Sequence, residues 1–140
     1  MYKPSLMKKL FVVLTVTTLA WMGCGKVDQN KAKALVENLI HIVDSGKYDK
    51  TSAYYTDEFN AGESIAVRIQ KYKDLKDVFG DVQSMQCISV KDSTDPEDRP
   101  IVQFVYKVTH TKLTSLEAYS VVSQNGDYKV EQQDIRQVNP

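Results

Sequence analysis

Two cysteines, two histidines and one tryptophan are all that these 140 residues contain of those types. Cys24 and Cys87 alone cannot make the disulfide framework that small exported domains use. His41 and His110, with no HExxH or CxxC spacing around them, leave too few ligands for a zinc centre. The six glycines are scattered singly. No run of adjacent backbone amides can therefore cradle a phosphate, and no GxSxG elbow occurs. No cofactor and no metal are expected on these grounds. Neither sign of charge dominates, with 18 Lys and Arg against 18 Asp and Glu. No apolar run reaches the roughly 20 residues that a spanning helix needs.

What is present begins with an address. Lys8 and Lys9 precede an apolar stretch, Leu10 to Ala20, which ends at Trp21-Met22-Gly23-Cys24. Charge, then apolar core, then a small residue is the order of a secretory signal, opening at Met1 or at Met7. Gly23-Cys24 resembles the end of a bacterial lipobox, although Trp21 and Met22 stand where Leu and a small residue are usual. The resemblance implies lipidation of Cys24, with palmitate among the chains, and residence in the cell envelope. Several chains on one cysteine moor a protein durably, at about 0.8 kcal/mol per buried CH₂. Gly25 after the cysteine, where a retention Asp is absent, points to an outer membrane if the cell has one. The expected organisation is a signal over 1–23, a tether over 24–30 and one domain over 31–138. Without the leader the chain holds 15 basic and 18 acidic residues. A mildly acidic body is a poor partner for nucleic acid, whose binding draws on clustered Lys and Arg. With Cys24 acylated, Cys87 reads as a small hydrophobe on a strand.

Periodicity then divides the domain. Ala32, Leu35, Val36, Leu39, Ile42 and Val43 recur at three- and four-residue steps, one face of a helix that stops at Ser45-Gly46. His41 falls on its wet face. A second helix is expected over Tyr48 to Thr56, with a break at Asn60 to Gly62. A third carries Ile65, Ile69, Tyr72, Leu75 and Phe79 and ends at Gly80. From there the period is two. Strands are predicted over Val82–Lys91, around Val102 to Val108, over Leu116–Ser123 and over Tyr128–Val138. Asp92 to Pro100 is expected as a solvated acidic loop, not a calcium site, and Asn125-Gly126 as a tight turn. The order implies an α+β fold with three N-terminal helices on a curved four-stranded antiparallel sheet.

Asp44-Ser45-Gly46-Lys47-Tyr48, Phe79-Gly80-Asp81-Val82-Gln83-Ser84, Ile101-Val102-Gln103-Phe104 and Asn125-Gly126-Asp127-Tyr128-Lys129-Val130 together resemble the NTF2-like superfamily. That is a cone-shaped α+β fold, and within it the chain looks like a group of small exported bacterial domains of unknown function. The likeness covers about 31–137 and departs in two places: the domain has no Trp, and Met85 stands where Arg is common. Its motifs are turn and cap chemistry, so the resemblance implies a fold and brings no catalytic residues.

Enzymes of that fold set an acid or base and tyrosine donors inside an apolar cone. Here Tyr55, Phe59, Ile69, Tyr72, Phe104, Tyr106, Tyr119 and His110 are the candidates for its lining. Alternation places only His110 beside them as a titratable group, and the register of Asp134 is ambiguous. The expectation is therefore a non-catalytic, membrane-anchored module docking another envelope protein. Val105, Val121 and Ile135 would then lie on the sheet's outer face. The alternatives are a small apolar ligand in the cone, or an isomerase or dehydratase of the NTF2-like kind.

Overall fold

The structure, a computed structural model, describes residues 26–139. The expected signal over 1–23 and the lipidation site Cys24 lie outside the described residues. Helix α1 runs Gln29–Asp44, so it begins inside the stretch expected as tether. Asp28 makes that start: its carboxylate accepts from the N–H groups of Asn30 at 2.9 Å and Lys31 at 3.1 Å. These satisfy two of the donors that a helix leaves open at its first turn. At the other end Gly46 adopts φ +75°. Gly46 N–H returns to Val43 and Lys47 N–H to Ile42, a Schellman closure.

The middle of the chain differs from the expectation. Tyr48–Tyr54 is a 3-10 segment, and a short helix α2 follows over Asp57–Gly62, where a break was expected. Thr56 starts α2 by accepting from Phe59 N–H. The apolar bulk of Tyr54, Tyr55 and Phe59 conceals this cap in the sequence. Helix α3 runs Ile65–Phe79. Its inward face is Arg68, Tyr72 and Phe79, while Ile65 is 40% exposed and Ile69 only half-buried. Arg68 is buried because every contact it needs is supplied. Its guanidinium donates to Asn60 Oδ1 at 2.9 Å and to Glu63, and stands 4.6 Å over the Tyr55 ring.

Four strands follow: β1 (Val82–Thr94), β2 (Pro100–His110), β3 (Thr114–Gln124) and β4 (Asp127–Gln137). They pair in chain order as an antiparallel meander. Asn125 and Gly126 take φ +53° and +84° at the β3–β4 turn, which such a turn demands. Register slips at Val82/Ser84, Cys87/Ser89 and Ser120/Val121 bend the sheet around the helices. Asp95 is an exception to the solvated loop: it is buried, accepting from the backbone of Glu97 and Arg99 and from the Arg99 side chain.

The core lies between α1 and the concave sheet face. Ala32, Val36 and Leu39 meet Val102, Phe104, Tyr106, Val108, Val121 and Val130 there. Val121 is thus fully buried and Ile135 faces the interior, which corrects their expected place on the outer surface. Val121 follows Tyr119 by plain alternation on β3, and the slip at Ser120/Val121, which leaves Glu131 of β4 with no residue opposite, turns Ile135 inward as well as Val130. Among the described residues no helix is long and apolar enough to cross a membrane.

Candidate functional site

Successive residues of a strand face opposite ways, so Ser115, Glu117 and Tyr119 of β3 form one row. That row faces the helices. All three are buried, at 0%, 6% and 2% exposure. His110 stands beside them at the end of β2, and Gln133 lies opposite Tyr119 on β4. Ile40 and Val43 of α1, Tyr72, Leu75 and Phe79 of α3, and Ile135 of β4 complete the walls of a cavity of about 50 Å³.

The polar groups form one connected set. His110 Nδ1 lies 3.2 Å from the Gly80 carbonyl and Nε2 lies 3.1 Å from Ser115 Oγ. Ser115 Oγ is 3.0 Å from Glu117 Oε1. Tyr119 donates its hydroxyl to Glu117 Oε2 at 2.5 Å and takes a bond from Gln133 Nε2 at 3.4 Å. Gln133 Oε1 accepts from Tyr55 at 2.8 Å and Tyr72 at 3.1 Å, and those two hydroxyls also touch each other. Among the described residues no buried side-chain nitrogen or oxygen lacks a partner. Such a set is costly to place in a core unless complete. Burial first, and then the Glu117 carboxylate, push the Tyr119 hydroxyl well above its ordinary range. Burial raises Tyr72 as well. Both phenols therefore stay protonated and are hydrogen-bond donors at any ordinary pH.

At the rim, Asp44 joins Lys76 at 2.6 Å and accepts from Val82 N–H at 2.9 Å. Burial alone would raise the Asp44 carboxyl. The Lys76 bond, the Val82 amide and His110 outweigh it and hold the carboxyl below its ordinary value. A wider groove of about 530 Å³ opens between α2, α3 and β4, lined by Glu58, Phe59, Lys71 and others. Tyr72, Leu75, Gln133 and Ile135 belong to both spaces and form the wall between them.

Of the lining residues expected from sequence, His110, Tyr72 and Tyr119 meet at the cavity. Tyr55 stands behind it, bonded to Gln133. Phe59 stacks on Tyr55 with ring centres 4.1 Å apart and lines the outer groove instead. Phe104 and Tyr106 are core, and the Tyr106 hydroxyl turns to Glu37 at 3.3 Å. Ile69 lines neither space. Glu117, Ser115 and Gln133 are the residues that sequence reasoning missed. The signal that finds the first two is plain alternation: once Tyr119 faces inward, residues 117 and 115 must follow. Asp134, whose register is ambiguous in the sequence, is exposed and faces Arg136.

No family model and no curated protein matches the chain. Among solved structures it is similar to one named Putative Scytalone Dehydratase, from Novosphingobium aromaticivorans. The TM-score is 0.52 at 12% identity, over 79% of this chain and 83% of that one. That likeness overturns the expectation of a non-catalytic module, because a protein carrying an enzyme's name shares this architecture. The expectation rested on the want of a carboxylate on the inward face, and Glu117 is that carboxylate. At this identity the likeness speaks for architecture alone, and what it establishes is an α+β chain of NTF2-like fold.

Proposed function

We propose that the cone is an acid–base site acting on a small, mainly apolar molecule that carries a hydroxyl group β to a carbonyl, by elimination of water. The observation that carries this reading is Glu117, a buried carboxylate tied to His110 through Ser115 and to Tyr119 directly, at the wall of a cavity. In an elimination, a C–H proton passes to the His110–Glu117 pair, the C=C bond forms, and the departing hydroxide takes a proton from the same pair to leave as water. Tyr72, held protonated at the cavity wall, can turn its hydroxyl from Gln133 to the substrate oxygen, while Tyr119 keeps its proton on Glu117. A space of 50 Å³ is filled by one or two waters at about 30 Å³ each. A substrate therefore arrives from the outer groove, and Leu75, Gln133 and Ile135 part to admit it. The dehydratase-named likeness supports the reaction class.

The test is a panel of cyclic β-hydroxyketones, followed by the absorbance of the conjugated enone formed on loss of water. At least one member is expected to turn over, and Glu117→Gln to lower its rate by roughly 10²-fold or more. Equal rates for both proteins, or no turnover across the panel, would sink the reading.

We also propose that the chain is exported and held to the cell envelope by lipid on Cys24. Lys8-Lys9, the apolar run to Ala20 and Gly23-Cys24 support it. Val27 is already buried at 5%. Three residues reach at most about 10 Å, so such an anchor would keep the domain against the membrane surface. Labelled palmitate is expected in the wild type and absent from Cys24→Ser; label in both refutes the site.

A further inference from the structure

We infer that Ser115 is a proton relay, carrying one proton back and forth between Glu117 Oε1 and His110 Nε2. The inference rests on the acid–base reading above for its use, but its support is the direction of the hydrogen bonds. The Gly80 carbonyl can only accept, so His110 Nδ1, 3.2 Å away, carries a proton in every state of the site. Nε2 is then the one ring atom free to gain or lose one. Its neighbour at 3.1 Å is Ser115 Oγ. Ser115 Oγ has Glu117 Oε1 on its other side at 3.0 Å. Nε2 and Oε1 themselves stand 3.8 Å apart, too far for a direct bond. The far oxygen of the carboxylate is taken by Tyr119, whose own acceptor side is occupied by Gln133.

Two arrangements satisfy all of these contacts. In one, Glu117 is protonated and donates to Ser115 Oγ, and the Ser115 hydroxyl donates to bare Nε2. In the other, Nε2–H donates to Ser115 Oγ and the Ser115 hydroxyl donates to the Glu117 carboxylate. They interconvert when the O–H bond at Glu117 breaks, the Ser115 proton moves to Nε2 and Ser115 keeps the proton from Glu117. One N–H bond forms for one O–H lost, and net charge is unchanged. The other groups facing the pair are Tyr119 on β3, Tyr72 and Phe79 on α3, and Asp44 at the end of α1. Lys76 of α3 already holds that Asp44. Among the described residues Ser115 is the side chain that bonds both His110 and Glu117.

What the relay adds is persistence. A proton that reaches Nε2 while Glu117 is a carboxylate passes to Glu117 and is held inside the cone, and the ring is bare again without exchange with water.

The experiment is ¹⁵N NMR of histidine-labelled, ligand-free protein, with exposed His41 as the reference. In the wild type the Nδ1 signal is expected at the protonated position and the Nε2 signal between the protonated and bare positions, the average of two exchanging forms. Ser115→Ala is expected to move Nε2 to one extreme. Ser115→Thr, which keeps the hydroxyl, is expected to restore the intermediate value. Glu117→Gln, whose amide cannot store the proton, should also give an extreme. An Nε2 shift in Ser115→Ala equal to that of the wild type would overturn the relay, as would a wild-type Nε2 already at an extreme. Should Ser115→Ala fail to fold, the threonine and glutamine variants decide the matter by the same shifts. Because no substrate enters these measurements, a failed enone panel leaves this result standing, and a failed relay leaves the panel's result standing.

Discussion

The inward row of β3 crosses from one environment to another within four positions. Val121 lies in an oily pole with Val36, Leu39, Val102 and Val130. Tyr119, Glu117 and Ser115, two to six residues earlier on the same face, belong to a pole where each side chain bonds the next. The first pole is held by shape and area, the second by complete pairing. The difference teaches that one side of one sheet does two jobs, and that cutting each pole should fail in its own way. Leu39→Ala, at full burial, is expected to lose about 2–5 kcal/mol of stability in urea unfolding. It should leave the His110 ring signals where they are. Movement of those signals would show that the poles are one unit.

The same contrast sets what is legible in the sequence. Long elements with clean periods are readable: α1 from its 3-4 spacing, α3 as a helix, the four strands from alternation, and Asn125-Gly126 from the positive φ its turn needs. Those signals come from local geometry. The polar pole is half legible. Tyr72, Tyr119 and His110 can be named, yet Glu117 escapes because a lone acid on a strand looks like a wet residue. Only its pairing with Ser115 and Tyr119 makes burial tolerable, and pairing is a property of the fold. Arg68 is hidden for the same reason. Its partners Ser52, Asn60 and Glu63 come from a segment whose short helix is itself unexpected.

A sharper cut at the polar pole goes through its backbone. Gly80 has φ +83° and ψ −165°, a region that is almost closed to any other residue. A Cβ there would lie 2.0 Å from Thr111 Oγ1. Gly80→Ala is expected to cost about 1–3 kcal/mol from the backbone alone. It should also displace the carbonyl that holds His110 Nδ1, moving the ring signals that Leu39→Ala leaves in place. Adding Thr111→Ala should recover the steric part and not the backbone part. Full recovery by the double variant would mean that conformation is not what the glycine supplies.

The rim of the polar pole answers to pH. Asp44 has its carboxyl held down by Lys76, Val82 N–H and His110 against the pull of burial, so its contribution is present above the ordinary value of 3.8. It is lost as pH falls through the lower folded value. Lys76 is raised by Asp44 and Asp81, although burial acts the other way. Its contribution is complete below 10.5 and fades as pH climbs through the folded value. Asp44→Asn should therefore flatten both limbs of the stability curve relative to the wild type, since it removes one shifted group and the main partner of the other. Denaturant midpoints across a pH series would show it, and a difference confined to neutral pH would contradict it.

The smallest expected effect lies at the oily pole's outer edge, where the start of α1 meets the β3–β4 hairpin. Tyr128 follows the Asn125-Gly126 turn, and its hydroxyl accepts from the backbone N–H of Asp28, 100 positions away, at 2.9 Å. Asp28 in turn caps α1. Tyr128→Phe removes one hydrogen bond and leaves the ring in place, so the loss should be about 1 kcal/mol. Where the loss appears matters more than its size. The Asp28 cap accepts from Asn30 and Lys31 through its side chain, not through the amide that Tyr128 holds. Hydrogen exchange should therefore quicken at Asp28 while Asn30 and Lys31 stay protected. If all three quicken together, the hairpin is what sets the start of α1, and the aspartate cap is secondary to it.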